Sequence, residues 1–216
     1  MQSIRELFEK GDYEEVVKAV KLLEKSKGAD PEGYLLAGKA LYYMKKPKES
    51  LKYLEKSYEL GGNKEEALFF MGKDYMAMGK FDKALEKLNE AVSINPKNFS
   101  ALENIGLAYA MKGERGKAIE YFEKALSVNP EDKRAWYNLG VSYFYERNYN
   151  KASECFKKAY ELDKGFYEAL YNLTSSLCLS EDSEFQKFYD ELERLNAKEA
   201  EKLKKACEKE KKKVKR

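Results

Sequence analysis

The sequence predicts an all-α fold of repeated helical hairpins, and three observations carry that prediction. A 34-residue period runs through most of the chain, large and small residues fall within it at helical spacing, and alanine, leucine, glutamate and lysine dominate the composition. Segments starting at Pro31, Glu65, Phe99, Lys133 and Tyr167 align, the last only after one residue is deleted from its second half. Their fourth position reads Tyr34, Leu68, Leu102, Trp136, Leu170, and their seventh reads Ala37, Met71, Ile105, Leu139, Leu173. The eleventh reads Leu41, Tyr75, Tyr109, Tyr143, Leu177. Spacing of 4, 7, 8 and 11 is one face of an α-helix.

The eighth position is Gly38, Gly72, Gly106, Gly140 and then Thr174. A mid-helix glycine costs up to ~1 kcal/mol relative to alanine, so four in register predict a second helix in close approach. That helix follows a turn near Gly79 or Gly113. Small residues recur at its twentieth and twenty-seventh places (Ser50, Ala84, Ala118, Ala152; Ser57, Ala91, Ala125, Ala159), with Leu54, Leu88, Phe122 and Phe156 at the twenty-fourth. Small set against large lets antiparallel helices interlock. Pro96 and Pro130 punctuate the links to the next unit, and Asp30-Pro31 reads as an N-cap followed by proline at N1.

Composition bounds the rest. In 216 residues, 43% are hydrophobic and 37% charged, which suits a folded chain. No apolar run approaches the ~20 residues that span a bilayer. MQSIRELFEKGDYEE has neither a basic n-region nor an apolar h-region, so a cytoplasmic protein is expected, with no membrane partner. Histidine is absent, and no GxGxxG, P-loop or metal-ligand cluster stands out, so neither enzyme chemistry nor a cofactor is expected. Cys155, Cys178 and Cys207 contain no close pair, and they read as reduced, ordinary helix residues. From Lys198 to Arg216 ten basic residues stand against four acidic, while the rest of the chain is slightly acidic. The basic end reads first as a solvated helix C-terminus. The Lys/Glu-rich surface composition is of the kind seen in thermophiles.

With WYNLG at 136–140, Tyr143, Ala152 and Phe156 in place, the chain resembles the tetratricopeptide repeat (TPR) family. The resemblance covers roughly residues 1–195. It implies a right-handed superhelical α-solenoid of about six helical hairpins plus a C-terminal capping helix. The expected organisation is a degenerate N-terminal capping repeat (1–30), four well-formed repeats (31–64, 65–98, 99–132, 133–166), a degenerate repeat (167–197) and a basic helix (198–216). Atypical ends are normal in a stack whose terminal faces meet water.

The sixth position lies about 200° around the helix from the fourth, nearly opposite the packed face. It holds Asn104, Asn138 and Asn172 in LENIG, WYNLG and LYNLT, although asparagine is a poor helix-interior residue. Nearby stand Phe69, Tyr137 and Tyr171 at the fifth place, and Tyr42, Tyr43, Met76, Met111, Phe144 and Tyr145 at the twelfth and thirteenth. The second helices carry charge instead, such as Lys117, Glu120, Glu123 and Lys124. Such aromatics also serve as filler between stacked helices, and an asparagine here also serves to bond a neighbouring helix. In TPR proteins this face lines a concave groove. A carboxamide both donates and accepts, so it can hold an extended peptide's backbone without reading its sequence. Helices ~8–10 Å apart would then meet a chain advancing ~3.3 Å per residue at about every third residue. This is similar to the asparagine ladder in the TPR region of O-GlcNAc transferase.

The expected function is therefore a non-catalytic scaffold binding a peptide or protein segment. The resemblance also opens a second reading, a co-chaperone clamping an acidic peptide or C-terminal carboxylate. That pattern needs lysine at place 5 and asparagine at 9 of one repeat, asparagine at 6 of the next, then lysine at 2 and arginine at 6. The best register offers Phe69 and Lys73, then Asn104, then Arg134 and Asn138, and so matches in part; a looser acidic-peptide site would use Lys39, Lys73 and Arg134. Nucleic acid is not the expected partner, since only the basic C-terminal tail would serve it. Self-association through an open face is a further route.

Overall fold

The computed structural model describes residues 3–26 and 28–214. Among them stand twelve helices and no strand: α1 (Ile4–Glu9), α2 (Tyr13–Ser26), α3 (Pro31–Tyr43), α4 (Pro47–Glu59), α5 (Lys64–Ala77), α6 (Phe81–Ile94), α7 (Phe99–Met111), α8 (Arg115–Val128), α9 (Lys133–Tyr145), α10 (Tyr149–Leu162), α11 (Tyr167–Leu179) and α12 (Phe185–Val214). They form two compact units, one ending at Lys112 and the other beginning at Gly113.

In the first unit the predicted glycine contacts are present. A Cβ at Gly38 would stand 2.6 Å from Leu54 of α4, and one at Gly72 would stand 2.6 Å from Leu88 of α6. Each glycine therefore marks the crossing of its own hairpin, and both leucines are fully buried. The small residues add hydrogen bonds to the packing: Ser50 Oγ donates to Gly38 O (2.8 Å) and Ser57 Oγ to Pro31 O (2.7 Å). One core cluster joins Val16 and Val20 of α2 to Tyr34, Ala37 and Leu41 of α3. A second joins Leu35, Leu51 and Leu54 to Leu68, Phe70 and Met71 of α5.

The second unit repeats the device with a ring. A Cβ at Gly140 of α9 would come within 2.8 Å of the Phe156 ring of α10. Leu170, Leu173 and Leu192 are fully buried between α11 and α12. Thr174 stands where glycine stood before; it is buried, and its hydroxyl donates to Leu170 O at 2.8 Å. The long α12 is two helices joined at Asn196, whose φ of −157° and ψ of 87° leave the helical region. Asn196 Oδ1 accepts from Glu199 N at 3.2 Å and so caps the second piece.

Local signals account for the ends. Asp30 accepts from Gly33 N with Pro31 at N1, and Asn98 and Asp132 cap α7 and α9 in the same manner. Every turn inside a hairpin needs one residue in the left-handed region, which closes the first helix. Gly11, Gly79 and Gly113 supply it, but Lys45, Arg147 and Glu181 adopt it too, at φ of 58–59°. These six residues fall 34 apart, so the repeat imposes the conformation even where a side chain resists it.

One expectation is overturned. Cys178 and Cys207 are not reduced helix residues: their sulfurs are 2.03 Å apart in a disulfide joining α11 to the distal half of α12. The break at Asn196 turns that half back against α11, bringing together cysteines 29 residues apart. Cys155 alone is a free thiol, and burial pushes it up to about 12. The basic end is solvated helix up to Lys213, with Lys202, Lys205 and Lys213 paired to Glu199, Glu201 and Glu210; Lys215 and Arg216 lie outside the described residues.

Candidate functional site

The predicted binding residues divide between the two units. In the first, α3 and α5 present a platform of rings topped by ammonium groups. Phe69 packs edge-on against Phe70 at 5.4 Å between centroids, and Tyr42 packs edge-on against Phe70 at the same distance. Lys73 Nζ lies 4.5 Å from the Tyr42 centroid and 5.3 Å from that of Phe69, within cation–π range. Asn104 in α7 turns back on its own helix, with Nδ2 donating to Ser100 O at 2.7 Å. Met111, at the end of α7, is exposed.

In the second unit, Tyr137 of α9 packs its ring 5.0 Å from Phe166 and 5.5 Å from Phe156. Its hydroxyl accepts from Asn172 Nδ2 of α11 at 2.9 Å. Desolvation of the ring raises the Tyr137 pKa, and Glu168 adds to the shift. Asn172 and Tyr137 thus brace one first helix against the next. The Asn138 carboxamide, half-buried one repeat earlier, makes no hydrogen bond among the described residues, so donor and acceptor are both unengaged. Tyr171 is half-buried and Arg134 exposed. Tyr145 is 65% exposed, with the Arg115 guanidinium 5.1 Å from its ring.

The second helices are different in kind. Lys117 pairs with Glu114 and Lys124 with Glu120 along α8. Along that stripe the Lys124 ammonium also lies 4.4 Å from the Tyr121 ring.

A feature that the periodic pattern conceals is Asp74. It occupies the tenth place of α5, where the other repeats carry Ala40, Ala108, Ser142 and Ser176. It is fully buried, and neither carboxylate oxygen has a hydrogen-bond partner. Ser50 stands close, but its hydroxyl hydrogen is committed to Gly38 O. Burial pushes the Asp74 carboxyl up to about 7. An acid in a column of alanine and serine was the available sign. Among the described residues no group of His, Cys, Asp and Glu could hold a metal ion, and no helix is long and apolar enough to cross a membrane.

A TPR repeat model matches residues 72–113, and a tetratricopeptide repeat model matches residues 99–132 and 134–166. The chain is a TPR-repeat protein. Its fold is similar to the C-terminal part of a TPR repeat-containing protein from Cytophaga hutchinsonii, at TM-score 0.81 and 23% identity over 90% of this chain and 78% of that one. MamA is similar at TM-score 0.70 and 28% identity, covering 76% of this chain and 96% of MamA. So is YrrB, described as a TPR protein with an unusual peptide-binding site, at TM-score 0.71 and 21% identity over 86% and 96%. No curated protein matches the sequence.

Proposed function

We propose that the chain is a non-catalytic protein-interaction scaffold that binds a peptide or protein segment on its first-helix faces, without a cofactor. The observation that carries this reading is Asn138. A half-buried carboxamide with no internal partner, beside Tyr137 and Tyr171, suits the backbone of an extended chain better than it suits water alone. Asn172 has one N–H engaged inside the fold, so in this reading it contributes a carbonyl and one remaining donor. Within the second unit the two rungs are then unequal, with Asn138 the stronger.

The proposed location is the cytoplasm. The Cys178–Cys207 disulfide is consistent with it in a cell that keeps intracellular disulfides, as hyperthermophiles do, and the Lys/Glu-rich surface agrees.

The test is a displayed random-peptide selection against the wild type and Asn138→Ala, both checked for helicity. A motif enriched by the wild type should bind the variant roughly tenfold more weakly, as expected for loss of one or two buried hydrogen bonds. Equal binding would remove Asn138 from the site. Enrichment of nothing by the wild type would count against peptide binding altogether.

A further inference from the structure

Lys39 and Lys73 hold the same ninth place in successive repeats, and their surroundings differ by one carboxylate. The Lys39 ammonium lies 5.0 and 5.5 Å from the Phe8 and Phe70 ring centroids and is bonded by Glu66 Oε1 at 2.6 Å. Glu66 stands 27 residues beyond Lys39. The same step from Lys73 arrives at Ser100, which carries no charge. Lys73 keeps the aromatic half of the arrangement, over Tyr42, Phe69 and Phe70 at 4.5–5.5 Å. It has no carboxylate within ion-pair distance among the described residues. Asp74, its neighbour in the chain, feels the Lys73 charge, but its occluded oxygens make no hydrogen bond and no ion pair with that ammonium.

Lys73 also lines an open cavity of ≈ 580 Å³ with Tyr42, Tyr43, Lys45, Pro47, Asp74 and Ala77, the Asp74 carboxylate oxygens being closed off from solvent behind the wall. The groups open to the space are two ammonium groups and two tyrosines, against one carboxyl whose oxygens are occluded, and they set its preference. Tyrosine faces take an apolar or planar group, and the cations take an anion.

We infer that this cavity seats an acidic side chain of a bound peptide segment, with Lys73 as its counter-ion and Tyr42 and Tyr43 as the walls for the adjoining residue. The inference rests on the peptide-binding reading above and specifies the chemistry of the segment. The molecule supplies its own template, since the incoming aspartate or glutamate takes the place that Glu66 holds beside Lys39. It also removes Lys39 from the looser acidic-peptide site, because that ammonium is already neutralised.

Two variants test the seat from opposite sides. Lys73→Gln removes the cation. Ser100→Glu supplies the missing acid internally; Ser100 is exposed in the first turn of α7, where an acidic residue suits the helix. A displayed random-peptide library is selected against the wild type and both variants, and the winning wild-type peptide is synthesised with its acidic residue intact and changed to the amide. The wild type should enrich Asp or Glu at one fixed place. Binding of the winner should weaken about fivefold in either variant, the scale of a partly exposed charge pair, and the amide peptide should bind all three proteins alike. A motif without an acid, or an acid preference that survives in Lys73→Gln or Ser100→Glu, overturns the seat while leaving peptide binding in place. Failure of the wild type to enrich any motif overturns peptide binding, and the seat with it.

Discussion

The first helices α3 and α5 share their inward places with α9 and α11, yet they carry a different outward chemistry. The sixth place is Leu36 and Phe70 in the first pair, Asn138 and Asn172 in the second; the ninth is Lys39 and Lys73, then Val141 and Ser175. The first pair of helices carries cations on rings, the second amides and phenols. The difference teaches that helix phase and hairpin packing are set by places 4, 7, 8 and 11, leaving places 6 and 9 free to carry separate recognition chemistries on one backbone. The tenth place shows the limit of that freedom, because it faces inward and still admits one charged residue.

The largest expected effect is at that place. The fold holds the Asp74 proton more tightly than the unfolded chain does, since burial raises the carboxyl from its ordinary 3.8 to about 7. Its cost is therefore absent below about pH 4, grows as pH rises, and is complete above about pH 7. At about 1.4 kcal/mol per pH unit this approaches ~4 kcal/mol, less whatever packing is lost on truncation. Asp74→Ala, which copies Ala40 and Ala108, should be near neutral at pH 4 and stabilise by roughly 2–4 kcal/mol at pH 8 in urea unfolding. A variant no more stable than the wild type at pH 8 would break the contrast between the two inward faces.

A middle-sized effect compares the hairpin crossings. Gly140→Ala drives a methyl into a ring, while Gly72→Ala meets a leucine that can turn aside. Both should destabilise, by about 1–3 kcal/mol, with Gly140→Ala the worse. Gly116→Ala, with nothing within 4 Å of the new carbon, should instead stabilise by up to ~1 kcal/mol. Thermal melts that rank the three otherwise would sink the close-approach account.

The smallest effect lies in the turns. Lys45→Gly and Arg147→Gly relieve a left-handed backbone in one hairpin of each unit and should each stabilise by about 0.5–1 kcal/mol. A loss at Lys45 alone would mean that its cavity-lining side chain contributes more than the relieved backbone.

Much of this fold was legible from spacing. Gly38, Gly72 and Gly140 announced their partners Leu54, Leu88 and Phe156 by recurring in step with them. What stayed hidden depends on pairs that no period relates. Asn172 and Tyr137 looked like independent groove residues because the pattern gives each its phase but not whether one side chain reaches the other. Lys45 and Arg147 at left-handed φ were invisible, because residue type normally flags that conformation and here the repeat overrides it. Cys178 and Cys207 were unreadable as a pair because the turn-back at Asn196 sits inside one unbroken stretch of helix-favouring sequence. Asp74 could have been seen, as the one acid in its column.

The covalent tie between α11 and α12 encloses the exposed residues Leu195, Asn196 and Ala197, where the helix breaks. A protease entering at that break would sever the backbone without parting the molecule. The nicked protein would migrate as one full-length species on a non-reducing gel and release its C-terminal peptide only when a thiol reductant is added.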